Sequence, residues 1–221
     1  MTFTRELRQK ADALWQQSFA HPFVTELAKG SLAREKFVHY VLNDSYYLTI
    51  FAKVQSRAAS KAPDLPTIAR LAVHAQSTVE AEHLLHETFF SLLGITPSTD
   101  FIPAPTTYAY TTHLLAVAAE GTFGEIIAAI LPCYWLYFEI GERYRNSTPN
   151  HPIYDQWIAT YGDEWFGKLV TEQIHLLDVL AQNASEEQRK LMRQHFLRSS
   201  EYELRFWDMA YHLESWQTDV L

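Results

Sequence analysis

Between breaks marked by proline and glycine, apolar residues recur at spacings of three and four along nearly the whole chain, the period an amphipathic helix needs. The breaks fall at His21-Pro22, at Ala62-Pro-Asp-Leu-Pro66, from Gly94 to Pro105, from Asn146 to Pro152 and at Gly162. They predict helices over roughly 3–20, 22–30, 34–61, 65–93, 107–120, 122–145, 152–160, 163–182 and 186–214. Three starts carry capping signals: Thr122 with Glu125, Ser185 with Gln188, and Asp64 ahead of Pro66. Seven glycines, mostly at predicted helix ends, are too few for a turn-rich β architecture. With no internal repeat, low-complexity tract or Gly/Ser linker, the expectation is all-α: a multi-helical bundle forming a single domain over 1–221. Two irregularities stand out. The gap from 94 to 106 holds three prolines, and loops of that length are often functional. Pro132 lies inside the apolar run Ile126 to Ile140, where it removes a helix hydrogen bond and predicts a kink beside Cys133.

Charge and composition narrow the function classes. The net charge is −8 and the 18 basic residues are dispersed, so the clustered basic footprint of a nucleic-acid binder is missing. The N-terminus MTFTRELRQKADALW is charged and unlike a signal peptide, and no run approaches the ~18 consecutive apolar residues of a membrane span. One cysteine permits no intrachain disulfide, which fits a reducing compartment. The expectation is a soluble, cytoplasmic protein with no nucleic-acid or membrane partner. Twelve tyrosines are harder to assign to a plain core, because a buried phenol needs a hydrogen-bond partner.

Three constellations could carry chemistry. Cys133 and Tyr137, four apart, share a helix face. A lone cysteine in an apolar helix is ordinarily a small buried hydrophobe. As a nucleophile it would need a pocket polar enough to favour the thiolate. Asp44, a poor helix-interior residue, sits mid-helix beside Tyr40, Ser45 and Tyr47. It is either bonded to a core tyrosine or a fixed acceptor for an amino group. Glu203 shares a face with Ser200, Phe206 and Trp207. It is a salt-bridge partner or an acid/base group of raised pKa, and Glu201 competes with it for that role.

A fourth pattern points elsewhere. Glu80-Ala-Glu-His83 and Glu172-Gln-Ile-His175 are both Glu-x-x-His, the ligand spacing of di-iron helical bundles, which also need two further carboxylates. Asp44, Glu139 or Glu203 could be nominated. The same residues read equally well as a solvated helix face with ion pairs.

Taken in order, six segments resemble the TenA family, also called thiaminase II. They are Tyr40-Val-Leu-Asn-Asp-Ser-Tyr-Tyr-Leu48, Ala75-Gln-Ser-Thr-Val-Glu-Ala-Glu82, Leu131-Pro-Cys-Tyr-Trp-Leu-Tyr137, His151-Pro-Ile-Tyr154, Trp157-Ile-Ala-Thr-Tyr161 and Tyr202-Glu-Leu-Arg-Phe-Trp-Asp-Met-Ala-Tyr211. The resemblance implies a haem-oxygenase-like bundle without haem, assembled as a homotetramer, with no cofactor or metal. It implies hydrolysis of 4-amino-5-aminomethyl-2-methylpyrimidine to hydroxymethylpyrimidine and ammonia, a thiamin-salvage step, and hydrolysis of thiamin to pyrimidine and thiazole. By motif it places the nucleophile at Cys133, the acid/base at Glu203 and substrate binding at Asp44, Tyr47, Tyr110, Tyr137 and Tyr161. Tyr46 competes with Tyr47, and Tyr108 with Tyr110. Tyr47 and Tyr137 would stack on the ring, while Tyr110 and Tyr161 hydrogen-bond.

The rivals are specific. A di-iron oxidase on the same scaffold would use His83 and His175. A haem protein would need His21 as axial ligand, whereas His21-Pro22 reads as a helix start. A non-catalytic regulatory role is the third.

Overall fold

The computed structural model describes residues 1–96, 98 and 100–218, the side chains of 81–86 excepted. The described residues form α1 (Phe3–Ala20), α2 (Pro22–Ala28), α3 (Arg34–Lys61), α4 (Leu65–Leu93), α5 (Pro105–Glu120), α6 (Phe123–Tyr144), α7 (Pro152–Tyr161), α8 (Glu164–Gln182) and α9 (Glu186–His212), with no strand among them. The expected caps are in place. Thr122 and Glu125 close a reciprocal box at the start of α6, as Ser185 and Gln188 do at α9, and Asp64 accepts the Thr67 N–H at 2.8 Å. Three ends differ by two residues from the periodic pattern, for local reasons, and four more by one. Pro105 opens α5 two residues early because proline suits the first turn. α2 stops at Ala28, ahead of the left-handed Gly30 (φ 74°), where the Pro149 carbonyl would lie 2.1 Å from a Cβ. Leu213, also left-handed, ends α9.

α6 is the central helix, packed chiefly on α9 and α8, with α7, α5 and α3 around it. By length and hydropathy it would pass for a membrane span, yet 72% of its apolar window is buried by the other helices, which is where a bundle hides its most apolar segment. It runs through Pro132 without a break. Behind it α1 lies across α9 and α8, while α3 pairs with α4 and turns its other face to α5 and α9. Aromatic side chains knit these layers. Trp207 stacks on Tyr40 and Phe23, and Trp157 donates its indole N–H to Tyr40 Oη at 3.3 Å. Gly141 lets the end of α7 press on α6, since a Cβ there would lie 2.4 Å from Gly162 N. That approach sets Tyr161 against Tyr137, ring centroids 4.8 Å apart.

Candidate active site

Helical spacing brings the candidate residues to one region from five helices. α3 contributes Asp44 and, one turn on, Tyr47; α6 contributes Cys133 and Tyr137; α7 ends on Tyr161. A cavity of about 270 Å³ opens between them, and Asp44, Cys133, Tyr137 and Tyr161 are all in its wall. Cys133 is half-buried and not sealed into the core, so the sulfur belongs to the cavity. The remaining wall is largely aromatic, with Phe51, Trp157 and Phe166, and Trp165 exposed at its edge.

Glu203 from α9 and Tyr110 from α5 are off that wall, fully buried with Tyr47 in the layer against Cys133. Tyr110 donates its hydroxyl proton to Glu203 Oε1 at 2.6 Å. Its ring is pinned between Tyr47 (5.0 Å) and Tyr202 (5.1 Å, nearly parallel). Of the two tyrosines that the resemblance assigns to the substrate, Tyr110 gives its hydroxyl proton to the carboxyl and Tyr47 packs beside the thiol. The Tyr47 hydroxyl is buried and has no hydrogen-bond partner of good geometry, but its dipole acts on Cys133. The competing residues lie elsewhere. Glu201 is an exposed partner of Arg205, Tyr108 is about half exposed against Trp216, and Tyr46 is only half-buried.

Burial decides the protonation states. It raises Glu203 from 4.5 to about 8; the nearby Asp44 charge adds to the rise, and the Tyr110 hydrogen bond opposes it. Glu203 is therefore a neutral acid at pH 7. The Cys133 thiol is also pushed well up, first by burial and then by Glu203 and Asp44, with Tyr47 pulling the other way. A pocket that stabilises a free thiolate is thus not what the fold provides. It holds a neutral thiol beside a neutral carboxylic acid, and the thiol must give up its proton as it reacts.

The Glu-x-x-His residues are dispersed. Glu139 holds Arg8 through paired bonds of 3.0 and 2.8 Å, Glu172 bonds His74, and His175 is exposed on α8. The side chain of His83 lies outside the described residues. Among the described residues no group of three or more His, Cys, Asp or Glu is placed to hold a metal ion. Both nitrogens of His21 are engaged: Nδ1 accepts from Phe23 N–H to cap α2, and Nε2 pairs with Asp208 at 3.1 Å. Residue spacing alone passed over two wall residues, His74 and Tyr134. Tyr134 was overshadowed by its neighbour Cys133, and His74 sits one residue before the Ala75–Glu82 segment.

A profile of the TENA/THI-4/PQQC family matches residues 8–213. The chain belongs to that family. Among its family relatives, aminopyrimidine aminohydrolase of Bacillus subtilis (strain 168) is 49% identical, over 100% of this chain and 94% of the relative. Among solved structures, the TenA homologue protein from P. horikoshii OT3 superposes with a TM-score of 0.87 at 30% identity, covering 96% of this chain and 99% of the other. A domain with a heme oxygenase-like fold from Shewanella denitrificans matches with a TM-score of 0.74 at 16% identity, over 95% and 92% of the two chains. The bundle of this family member is thus haem-oxygenase-like.

Proposed function

We propose that this protein hydrolyses the exocyclic C–N bond of 4-amino-5-aminomethyl-2-methylpyrimidine, releasing hydroxymethylpyrimidine and ammonia, and likewise cleaves thiamin to its pyrimidine and thiazole. That it is an enzyme, a hydrolase of thiamin salvage, stands on the full-length relationship to aminopyrimidine aminohydrolase. The observation that carries the finer reading is the pairing of a cavity-facing Cys133 with a buried Glu203 raised to about 8. An aminomethyl group on an aromatic ring leaves only after the ring is made electron-poor and attacked. Glu203 gives its proton to a ring nitrogen while Cys133 sulfur bonds the adjacent ring carbon. The carboxylate so formed takes the thiol proton, with Tyr47 beside the sulfur. The net change is addition of S–H across a ring C–N double bond, so no free thiolate is needed. Expulsion of the amine leaves an exocyclic methylene, water adds to it, and loss of the thiol restores the aromatic ring. Asp44 in the cavity wall receives the 4-amino group and fixes the ring's orientation, with Tyr137 and Tyr161 as its aromatic flank.

The direct test is incubation with the aminomethylpyrimidine and with thiamin, following each product and comparing kcat/KM. Hydroxymethylpyrimidine should form from both; its absence from both sinks the reading. A homotetramer fits the exposed apolar residues Leu65, Ile68 and Val79 on one face of α4. Sedimentation equilibrium should return a mass near that of four 25.6 kDa chains, and a monomer would end the idea.

A further inference from the structure

The cavity wall opposite in chemistry to Glu203 is a polar network that the steps above leave unused. Tyr134 and His74 both line the cavity, and both are buried. The Tyr134 hydroxyl accepts a hydrogen bond from Gln55 Nε2 and lies 3.2 Å from His74 Nδ1. Gln173 Nε2 is 3.1 Å from the same Nδ1, and His74 Nε2 is 3.4 Å from Glu172 Oε2. Glu172 fixes the polarity: a carboxylate only accepts, so Nε2 of the neutral ring carries the proton and the lone pair of Nδ1 is left as the acceptor. The Tyr134 hydroxyl takes the Gln55 N–H on one lone pair, keeps the other for water, and turns its own proton to Nδ1. Glu172 at the far end is about half exposed, so the chain of bonds runs from the cavity to solvent. Burial lowers His74 and Arg70 adds to this, while Glu172 pulls upward, which leaves the imidazole neutral and able to accept.

We infer that Tyr134, His74 and Glu172 form the proton relay that activates water for the second half of the reaction. This rests on the proposed function, because it supplies the base that hydration of the methylene intermediate requires. In that step a C–O bond forms at the exocyclic carbon and a water O–H bond breaks. The water proton passes to Tyr134 Oη as the phenol proton moves to His74 Nδ1, and the imidazolium is held by Glu172. The proton then leaves to the released ammonia or to bulk water. Tyr134 is the residue that meets the water, and His74 and Glu172 position it and drain its proton.

The test uses the full chain carrying His74→Asn, whose amide oxygen can still accept at the Nδ1 position but is not basic. Mixed with the aminomethylpyrimidine, it should release a burst of ammonia equal to the enzyme concentration, followed by turnover slowed by about 10²-fold. Added β-mercaptoethanol should then intercept the methylene, raising the share of pyrimidine thioether over hydroxymethylpyrimidine well above the wild-type share. Tyr134→Phe should behave alike, and Glu172→Gln, at an exposed position that folding tolerates, should show a several-fold effect of the same kind. A fall in ammonia and hydroxymethylpyrimidine in step, with no burst and an unchanged thioether share, overturns the relay. Wild-type partitioning in Glu172→Gln does so too, even where the buried variants fail to fold. Failure of the wild-type enzyme to cleave at all would count against the parent reading instead.

Discussion

Replacing Cys133 with serine is expected to lower kcat by at least about 10³-fold with KM changed only a few-fold, because the sulfur makes a bond and is not a mere contact. Asp44 and the aromatic wall that would hold the ring are untouched by the change, so ground-state binding survives. The oxygen of serine is a far poorer nucleophile for an aromatic carbon and gives up its proton less readily than a thiol. The measurement is steady-state release of ammonia or thiazole, and turnover near that of wild type would sink nucleophilic catalysis. Because the chain has one cysteine, alkylation by iodoacetamide reports on this site alone. The rate should be slow at pH 7 and climb only at alkaline pH, as expected for a thiol that burial pushes up.

Glu203→Gln should move activity and stability in opposite directions. Amide cannot pass a proton between sulfur and ring nitrogen, so kcat should fall by about 10²–10⁴-fold and more than KM rises. In the wild type, kcat/KM should decline as pH rises through about 8, where the acid ionises. The linkage follows from the same shift. A carboxyl raised from 4.5 to about 8 on folding contributes stability that is full below 4.5 and lost as pH rises through about 8. Glutamine keeps the neutral form at every pH, and its carbonyl still accepts from Tyr110. The melting temperatures of variant and wild type should therefore converge near pH 4.5 and separate in favour of the variant by pH 8. At about 1.4 kcal/mol per pH unit, the separation is bounded by about 5 kcal/mol. Equal melting temperatures at pH 8 would mean that Glu203 is charged in the resting enzyme. A loss of function that brings a gain in stability is the pattern of a strained active-site group.

Both predictions depend on features of unequal visibility in the chain. The choice of Glu203 over Glu201 was partly legible, since only Glu203 shares its face with Phe206 and Trp207. Its raised pKa was not, because the burial comes from the helices packed on α9 and the opposing hydrogen bond from Tyr110, 93 residues away. Cys133 was legible as a cysteine next to an ill-placed proline, but nothing local says whether such a thiol faces core or cavity. The relay is the hardest case. Gln55, His74, Tyr134 and Gln173 come from α3, α4, α6 and α8, and each is only one polar side chain on an apolar helix face. Gln173, set among the buried Val170, Leu177 and Ala181, was the one available hint, since a buried amide must find partners.

The amino-acid sequence by itself determined the helices, their caps and the order of the motifs, because hydrogen bonding and capping act within about four residues along the chain. The tertiary structure alone decided the layering: Asp44, Cys133, Tyr137 and Tyr161 on the cavity wall, with Tyr47, Tyr110 and Glu203 buried in the layer against Cys133. It alone set the protonation of the acid and the thiol. Desolvation and charge coupling are sums over neighbours from every helix, and no window of the sequence contains them.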